Sequence, residues 1–154
     1  MENNVKLEYY RLVTGSGKSG AFGIGVTPFV EFEFSVGDQP HHVHAGGSDG
    51  IDALCNGIDK FGGIQIPKES RRLEFDPGNS KFGGGNGSKP VQPIYGMRCI
   101  MAYGGKDYVG EGQSHKIEGA VVSAYIDAHR QIPGSILAGI KMPQYTSQKN
   151  TLIP

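Results

Sequence analysis

The same order of predicted elements occurs twice in this chain, and this repeat limits the folds that the sequence can adopt. Each half shows three strand patterns followed by one helix pattern, and similar residues recur 66 positions apart. A lone unit of this kind leaves one sheet face or one helix side exposed, so pairing two units buries both surfaces. We therefore predict an α+β fold of duplicated βββα units packed with pseudo-two-fold symmetry. The matched pairs are Val43 and Val109, Gly46 and Gly112, Ser48 and Ser114, Ile51 and Ile117, and Asp52 and Glu118.

The first predicted unit covers residues 5–63. Its clearest strand has apolar residues at every second position, which is typical of a sheet with one buried face. A helix follows, for which Asp49 is a suitable N-cap and the pair Gly62-Gly63 is a suitable stop. The predicted strands cover 5–13, 28–36 and 39–45. The apolar stripe of the helix consists of Ile51, Leu54, Cys55, Ile58 and Phe61.

The second predicted unit covers residues 64–132, and residues 133–154 are predicted as a C-terminal tail. Its helix, expected from about His115 to Gln131, is rich in alanine and glycine, so a neighbour can approach it closely. Packing on the sheet and a dimer interface explain this pattern equally well. The predicted strands cover 70–75, 93–103 and 106–110. The apolar stripe of the helix consists of Ile117, Ala120, Val121, Ala124, Tyr125 and Ala128.

Charge and hydropathy argue against several classes of protein. The 15 basic residues are balanced by 15 acidic residues, so the basic excess typical of nucleic-acid binding is missing. No run of about 18 apolar residues predicts a membrane span, and the polar N-terminus lacks a signal-peptide core. Cys55 and Cys99 lie in apolar patterns and are predicted to be free, buried thiols, as is typical of a cytoplasmic protein.

Two glycine-rich loops are predicted, over residues 14–27 and 76–90. The first contains TGSGKSGAFGIG and is similar to a phosphate-binding loop. That motif requires a glycine at position 12, where this chain has Leu12, and no helical pattern follows. A connecting loop is therefore the better interpretation.

Two segments carry a resemblance to a known family. HAGGSDGIDALCNGIDKFGGI and GEGQSHKIEGAVVSAYIDAHRQI resemble the two motifs of the regulatory domain of 2-isopropylmalate synthase and of relatives such as citramalate synthase. The resemblance covers most of residues 5–132. It implies a dimeric domain of two βββα units that binds a branched-chain amino acid, leucine or isoleucine, as a feedback effector. In that family the domain passes the inhibition to a catalytic barrel.

The chain departs from the family because it has no barrel, which typically needs about 250 residues. The resemblance therefore implies a chain that is not an enzyme on its own. It would be the regulatory part of an acyl-CoA-dependent synthase, as a fragment or as a separate subunit. The implied partners are the amino-acid effector, a second copy of the chain and a catalytic barrel or subunit, with no nucleic acid and no membrane.

An amino-acid effector carries a carboxylate, which suits backbone N–H groups in a glycine-rich loop at a helix start. Two such loops are predicted, over residues 45–49 and 110–115. Its ammonium group needs oxygen acceptors, and Asp49 and Glu111 are candidates. Helix capping explains Asp49, Ser48 and Ser114 at least as well, and Glu111 is equally explained as a solvated loop charge. The predicted effector-binding residues are Ala45, Gly46, Gly47, Ser48, Asp49, Gly110, Glu111, Gly112, Gln113, Ser114 and His115.

Metal binding and catalysis have weaker support. His41, His42 and His44 lie close together, and the last two share a strand face, but two ligands alone make a poor metal site. His42 or His44 also suits the wall of an effector pocket. Neither cysteine lies in a polar setting, and the sequence contains no nucleophile motif. We therefore predict no catalytic residue, no metal and no cofactor.

Two further functions stay open as alternatives. GEGQSHKIEGAVVSAYIDA also resembles the end of a double-stranded-RNA-binding domain, in which lysines at a helix start grip phosphates. His115, Lys116 and Glu118 occupy those positions here and form a poor basic set. The other alternative is a small enzyme of unassigned chemistry, for which only the histidine cluster argues.

Overall fold

The structure is a computed structural model that describes residues 4–14, 27–82 and 92–141. The segment TGSGKSGAFGIG therefore lies almost entirely outside the described residues. Parts of the second glycine-rich loop and of the tail also lie outside them.

The first unit is a three-stranded antiparallel sheet followed by a helix, as predicted. The strand order is β1-β2-β3, and the three strands agree with the prediction to within one residue at each end. Gly37 takes the left-handed conformation, with φ +62°, that the turn between β2 and β3 requires. Gly63 ends the helix with φ +80° and donates its N–H to the Asp59 carbonyl. The elements are β1 (Val5–Val13), β2 (Phe29–Val36), β3 (Gln39–Gly46) and α1 (Gly50–Gly62).

The second unit repeats this order, which confirms the α+β fold of duplicated βββα units. Its sheet is also antiparallel, in the order β4-β5-β6. The helix is two residues shorter at each end than predicted. The elements are β4 (Arg71–Phe75), β5 (Tyr95–Tyr103), β6 (Lys106–Ser114) and α2 (Ile117–His129). Short 3-10 turns lie at Lys68–Ser70, Pro77–Asn79 and Ile136–Gly139.

Strand β6 is four residues longer than predicted, so the interpretation of residues 111–114 as part of a loop is wrong. A Cβ atom on Gly110 would lie 2.3 Å from the carbonyl oxygen of Ala124, and one on Gly112 would lie 2.5 Å from the backbone nitrogen of Ala124. Both glycines therefore let α2 lie directly on the strand. Gly110 ends the predicted strand, and the residues that belong to β6 instead of a loop are Glu111, Gly112, Gln113 and Ser114. His115 lies in the short link to α2.

The two units meet at their helices. Helix α1 packs on β2 and β3, α2 packs on β5 and β6, and the helices contact each other. The first strand of each sheet also reaches the helix of the other unit. Arg71 of β4 contacts Asp52 of α1, and the Tyr10 hydroxyl of β1 lies 3.4 Å from the Cβ position of Gly119 in α2. This reciprocal packing agrees with the predicted pseudo-symmetry.

The core is apolar and contains both cysteines. Phe34 of β2 stacks on Phe61 of α1 with the ring centroids 4.0 Å apart. Cys55 and Cys99 are buried and free, as predicted. Burial raises the pKa of Cys99 to about 12 and also raises that of Cys55, so both stay protonated thiols at neutral pH.

The start of the predicted tail docks on the domain. Leu137 is fully buried, and Ile140 forms a parallel bridge to Val5 at the outer edge of β1. Within the described ranges, no helix is both long and apolar enough to cross a bilayer.

Candidate functional site

The start of α1 is shaped by two aspartates. Asp49 is the N-cap, and its Oδ1 accepts a hydrogen bond of 2.8 Å from the Asp52 N–H. Asp52 Oδ2 accepts from the N–H and the hydroxyl of Ser48, one residue before the cap. The capping predicted for Asp49 is confirmed. Gly50 and Ile51 form the first turn, where backbone N–H groups have no intrahelical acceptor and favour negative charge.

A cleft opens beside this helix start, and we call it the α1 cleft. Its cavity volume is about 270 Å³. Its wall combines charges of both signs with two aliphatic side chains. Lys68 reaches across its rim, where the ammonium group donates to the Ser48 hydroxyl at 2.7 Å. The residues that line the α1 cleft are Asp49, Ile51, Asp52, Lys68, Arg71 and Leu73.

The floor of the α1 cleft is an ion pair between Asp52 and Arg71. The two side chains are in direct contact and are only 11% and 5% exposed. Burial raises the pKa of the Asp52 carboxyl, but the hydrogen bonds from Ser48 and the charge of Arg71 outweigh it, and the pKa lies below its usual value. Asp52 is therefore charged at neutral pH and already paired, whereas Asp49 and Lys68 face the cleft with bonding capacity left.

A second, apolar groove adjoins the α1 cleft and shares two of its residues. Its cavity volume is about 350 Å³, and it lies where the starts of α1 and α2 approach each other. Ile51 is 44% exposed and Ile117 is 51% exposed, although both are large aliphatic residues. We call this surface the apolar groove. It is lined by Leu12, Asp49, Gly50, Ile51, Leu54, Ile117, Glu118 and Val121.

Behind the α1 cleft, a buried polar network joins the two units at Asp59. The carboxylate accepts hydrogen bonds from the Tyr125 hydroxyl at 2.7 Å, the Ile66 N–H at 3.1 Å and the Arg71 guanidinium at 3.3 Å. Burial raises the pKa of Asp59 to about 6, although these donors oppose the shift. In the part of the chain that the structure describes, every buried side-chain nitrogen and oxygen has a partner.

In one branch of this network, an acid, a histidine and a serine follow one another as contacting side chains. His129 Nε2 lies 3.4 Å from Asp59 and donates to the Ile64 carbonyl, and its Nδ1 accepts from the Ser135 hydroxyl at 2.8 Å. Burial lowers the pKa of His129, so the ring is neutral at neutral pH. His129 is fully buried, Ser135 is 6% exposed, and the Ser135 oxygen also accepts from the Leu137 N–H. The arrangement therefore serves packing, since a substrate could not reach the serine.

The structure brings only part of the first predicted site to the α1 cleft. Asp49 lines the cleft. Ser48 contacts a second lining residue, since its hydroxyl accepts a hydrogen bond from Lys68. Ala45 and Gly46 belong to the end of β3. Gly47 is needed for close packing, because a Cβ atom there would lie 2.4 Å from the Ala53 nitrogen.

In the part of the chain that the structure describes, the residues of the second predicted site take part in backbone and side-chain contacts of β6 and α2. The Glu111 N–H donates to Asp127, Gln113 donates to the Asn79 carbonyl, and the Ser114 hydroxyl accepts from the Lys116 N–H. His115 Nδ1 bonds the Pro93 carbonyl at 3.0 Å. Together with Gly110 and Gly112, these residues serve strand pairing and helix packing.

The histidines of β3 line neither the α1 cleft nor the apolar groove, so their place in an effector pocket stays a prediction. Strand pairing sets His42 beside Glu33 and His44 beside Glu31, on the face of the sheet opposite to Val43. His44 Nε2 lies 3.2 Å from Glu31 and His42 Nε2 lies 3.6 Å from Glu33. Among the described residues, no three metal-ligating side chains are arranged to hold an ion.

Sequence reasoning missed Lys68, Arg71 and Leu73 as site residues. They follow α1 in the chain and approach its start because this segment turns back along the helix, where Lys68 contacts Ser48 and Arg71 contacts Asp52. The one signal for Arg71 was its place in an apolar strand pattern, where a charge needs a buried partner.

Comparisons with protein families and with curated proteins found no match for this sequence. The relation to the synthase regulatory domain stays a prediction based on its two motifs.

Proposed function

We propose that this chain is an amino-acid-sensing regulatory domain that binds a branched-chain amino acid, leucine or isoleucine, at the α1 cleft and the apolar groove. One observation carries the proposal. Asp49 and Lys68, of opposite charge, lie at a cleft that continues past an exposed Ile51 into an apolar groove. A zwitterion with an aliphatic side chain needs this combination.

The charged head group has complementary partners in the α1 cleft. Lys68 and the first-turn N–H groups of α1 suit a carboxylate, since a helix start favours anions. Oδ2 of Asp49 has no hydrogen-bond partner among the described residues and suits an ammonium group, because Oδ1 already caps the helix. Asp52 and Arg71 neutralise each other and form the floor of the cleft.

The aliphatic side chain has its complement in the apolar groove. A ligand that covers Ile51 and Ile117 removes apolar surface from water. Each Å² of buried apolar surface stabilises the complex by about 25 cal/mol. The groove volume of about 350 Å³ exceeds the volume of a leucine side chain. The groove therefore discriminates little between leucine and other aliphatic amino acids. Glu118 at its rim disfavours a second carboxylate and so acts against acidic amino acids.

The resemblance of the two motifs extends the proposal to partners. In such a system the chain would pair with a second copy of itself and would pass effector binding on to a catalytic synthase barrel or subunit. This regulation would take place in the cytoplasm. Regulation then requires that the effector and the catalytic partner bias the same equilibrium.

The test is a thermal-shift series with the twenty amino acids. A ligand at about 100 times its Kd stabilises the folded state by roughly 2.7 kcal/mol. We expect a dose-dependent rise with leucine, isoleucine or valine and none with the charged amino acids. Asp49→Asn keeps the helix cap but removes the charge, and Lys68→Met removes the other charge, so both variants should lose the rise. Lys60→Met, at the far end of α1, is the matched control. Millimolar amino acids that leave the melting temperature unchanged would refute the proposal.

A further inference from the structure

We propose that Arg71 is a positioning residue that couples the α1 cleft to the junction between the two units. This inference rests on the proposed function for its regulatory meaning, but the coupling itself is a property of the chain alone. It names a route by which occupancy of the cleft changes how the units pack.

The guanidinium of Arg71 uses its two terminal nitrogens in two different places. NH2 contacts Asp52 in the cleft floor and lies 3.3 Å from the Asn56 side-chain oxygen. NH1 lies 3.3 Å from Asp59 and 3.4 Å from the Tyr125 hydroxyl. One rigid, planar group therefore touches the cleft and the buried network at the same time.

The fold does not require a charge at this position. Strand pairing places Arg71 opposite Met101 in the second sheet and Leu7 opposite Phe34 in the first, at equivalent distances from the hairpin turns. The first unit therefore fills the corresponding place with a buried leucine. Replacing a buried ion pair by apolar residues is often neutral or stabilising, so a buried arginine here needs a reason other than stability.

The network crosses between the units again at its far side, since Arg71 and Tyr125 belong to the second unit and Asp59 belongs to the first. Tyr125 lies in α2, donates to Asp59 of α1 at 2.7 Å, and does not line the α1 cleft. A shift of Asp52 toward or away from a bound ammonium group pulls on the guanidinium. The guanidinium in turn alters the bonds to Asp59 and Tyr125. A change in the α1 cleft is then accompanied by a change at the junction between the two units.

A double-mutant cycle on unfolding by urea tests the coupling without any ligand. Asp52→Asn perturbs the cleft end, and Tyr125→Phe perturbs the junction. We expect the effects of these two changes on the unfolding constant to be non-additive by at least about fivefold, because both act through Arg71. Asp49→Asn with Tyr125→Phe is the matched control, since Asp49 lies in the same cleft without a bond to Arg71. This control pair should be additive within about twofold.

Two results would overturn the inference. Additivity of the first pair would show that the cleft and the junction are independent, and equal non-additivity of both pairs would show that the coupling does not pass through Arg71. Arg71→Lys keeps the charge but not the fork of two nitrogens, and it should remove most of the coupling.

The regulatory meaning is tested by calorimetric titration with L-leucine. Tyr125→Phe should change the leucine Kd by at least about threefold, as for residues linked by one network. Ile126→Val, a neighbouring buried change, should leave the Kd unaltered. An unchanged Kd in Tyr125→Phe would refute the regulatory role. If the wild-type chain binds no leucine, the proposed function fails, while the mutant cycle still decides the coupling.

Discussion

Replacing Gly110 by alanine tests whether the glycines of β6 serve packing or an effector. A Cβ atom at this position would lie 2.3 Å from the Ala124 carbonyl oxygen and 2.3 Å from the Ala128 nitrogen. Ordinary contacts begin at 3.4 Å, so the overlap is about 1 Å on each side. Both neighbours are backbone atoms of α2, which means that no side-chain rotation relieves the overlap.

The expected loss of stability follows from this geometry. Overpacking a core typically costs about 1–3 kcal/mol, and contacts with backbone place Gly110→Ala near the upper end. For a chain of this size, each kcal/mol lowers the melting temperature by roughly 2–4 °C. A loss of about 3 kcal/mol therefore corresponds to a fall of roughly 6–12 °C, which circular dichroism measures directly.

Gly46→Ala is the matched control, because Gly46 is also a glycine near the end of a sheet strand. A Cβ atom there meets only the Pro28 carbonyl oxygen at 3.4 Å, and its stability should change by less than about 0.5 kcal/mol. If Gly110→Ala melts at the wild-type temperature, the packing explanation is wrong. If both variants keep their stability and lose leucine binding, the glycines contact the effector after all.

Three further predictions concern the buried network and the helix cap. Arg71→Met leaves Asp52 and Asp59 without their cation and should lower the free energy of unfolding by about 3–5 kcal/mol. Arg72→Met removes only an exposed pair with Glu74 and should cost less than about 1 kcal/mol in the same urea titration, so equal losses would contradict the account. The folded-state pKa of Asp59, about 6, is above its ordinary value of 3.8, so its contribution is fully present below pH 3.8 and is lost as the pH rises through 6. The free energy of unfolding of Asp59→Asn, measured in urea, should therefore rise by up to about 3 kcal/mol relative to that of wild type between pH 4 and pH 7. If the difference between the two free energies stays constant, Asp59 does not titrate in this range. Asp49→Ala removes the cap of α1 and should lower the free energy of unfolding by about 1 kcal/mol, whereas Asp49→Asn should preserve it in the same assay; equal losses would argue against capping.

The local sequence predicted the fold well because each element carries its own signal. The alternation in β2 and the apolar stripe of α1 follow from which side chains face the core. The cap at Asp49 and the stop at Gly63 follow from backbone hydrogen bonding at the helix ends. The end of β6 was missed because glycine is typical of loops, while here it makes room for α2.

The candidate site was predicted less completely, for a physical reason. Asp49 was found because it belongs to a helix start, which is a local feature. Lys68 and Arg71 reach that start from a separate segment, and only the tertiary contacts of Lys68 with Ser48 and of Arg71 with Asp52 bring them there. The buried pair of Asp59 with Tyr125 joins equivalent positions of the two helices, which lie 66 residues apart as in the repeat. The repeat alone does not say which equivalent positions come into contact.

Nuclear magnetic resonance of the labelled chain, titrated with L-leucine, tests the central claim most directly. The account predicts saturable shifts of the backbone amides of Gly50, Ile51 and Asp52, and of the side chain of Ile117 in the apolar groove. The amides of residues 110–114 should stay in place, since these residues pair in β6. Saturable shifts confined to residues 110–115, or no shifts at millimolar leucine, would contradict the account.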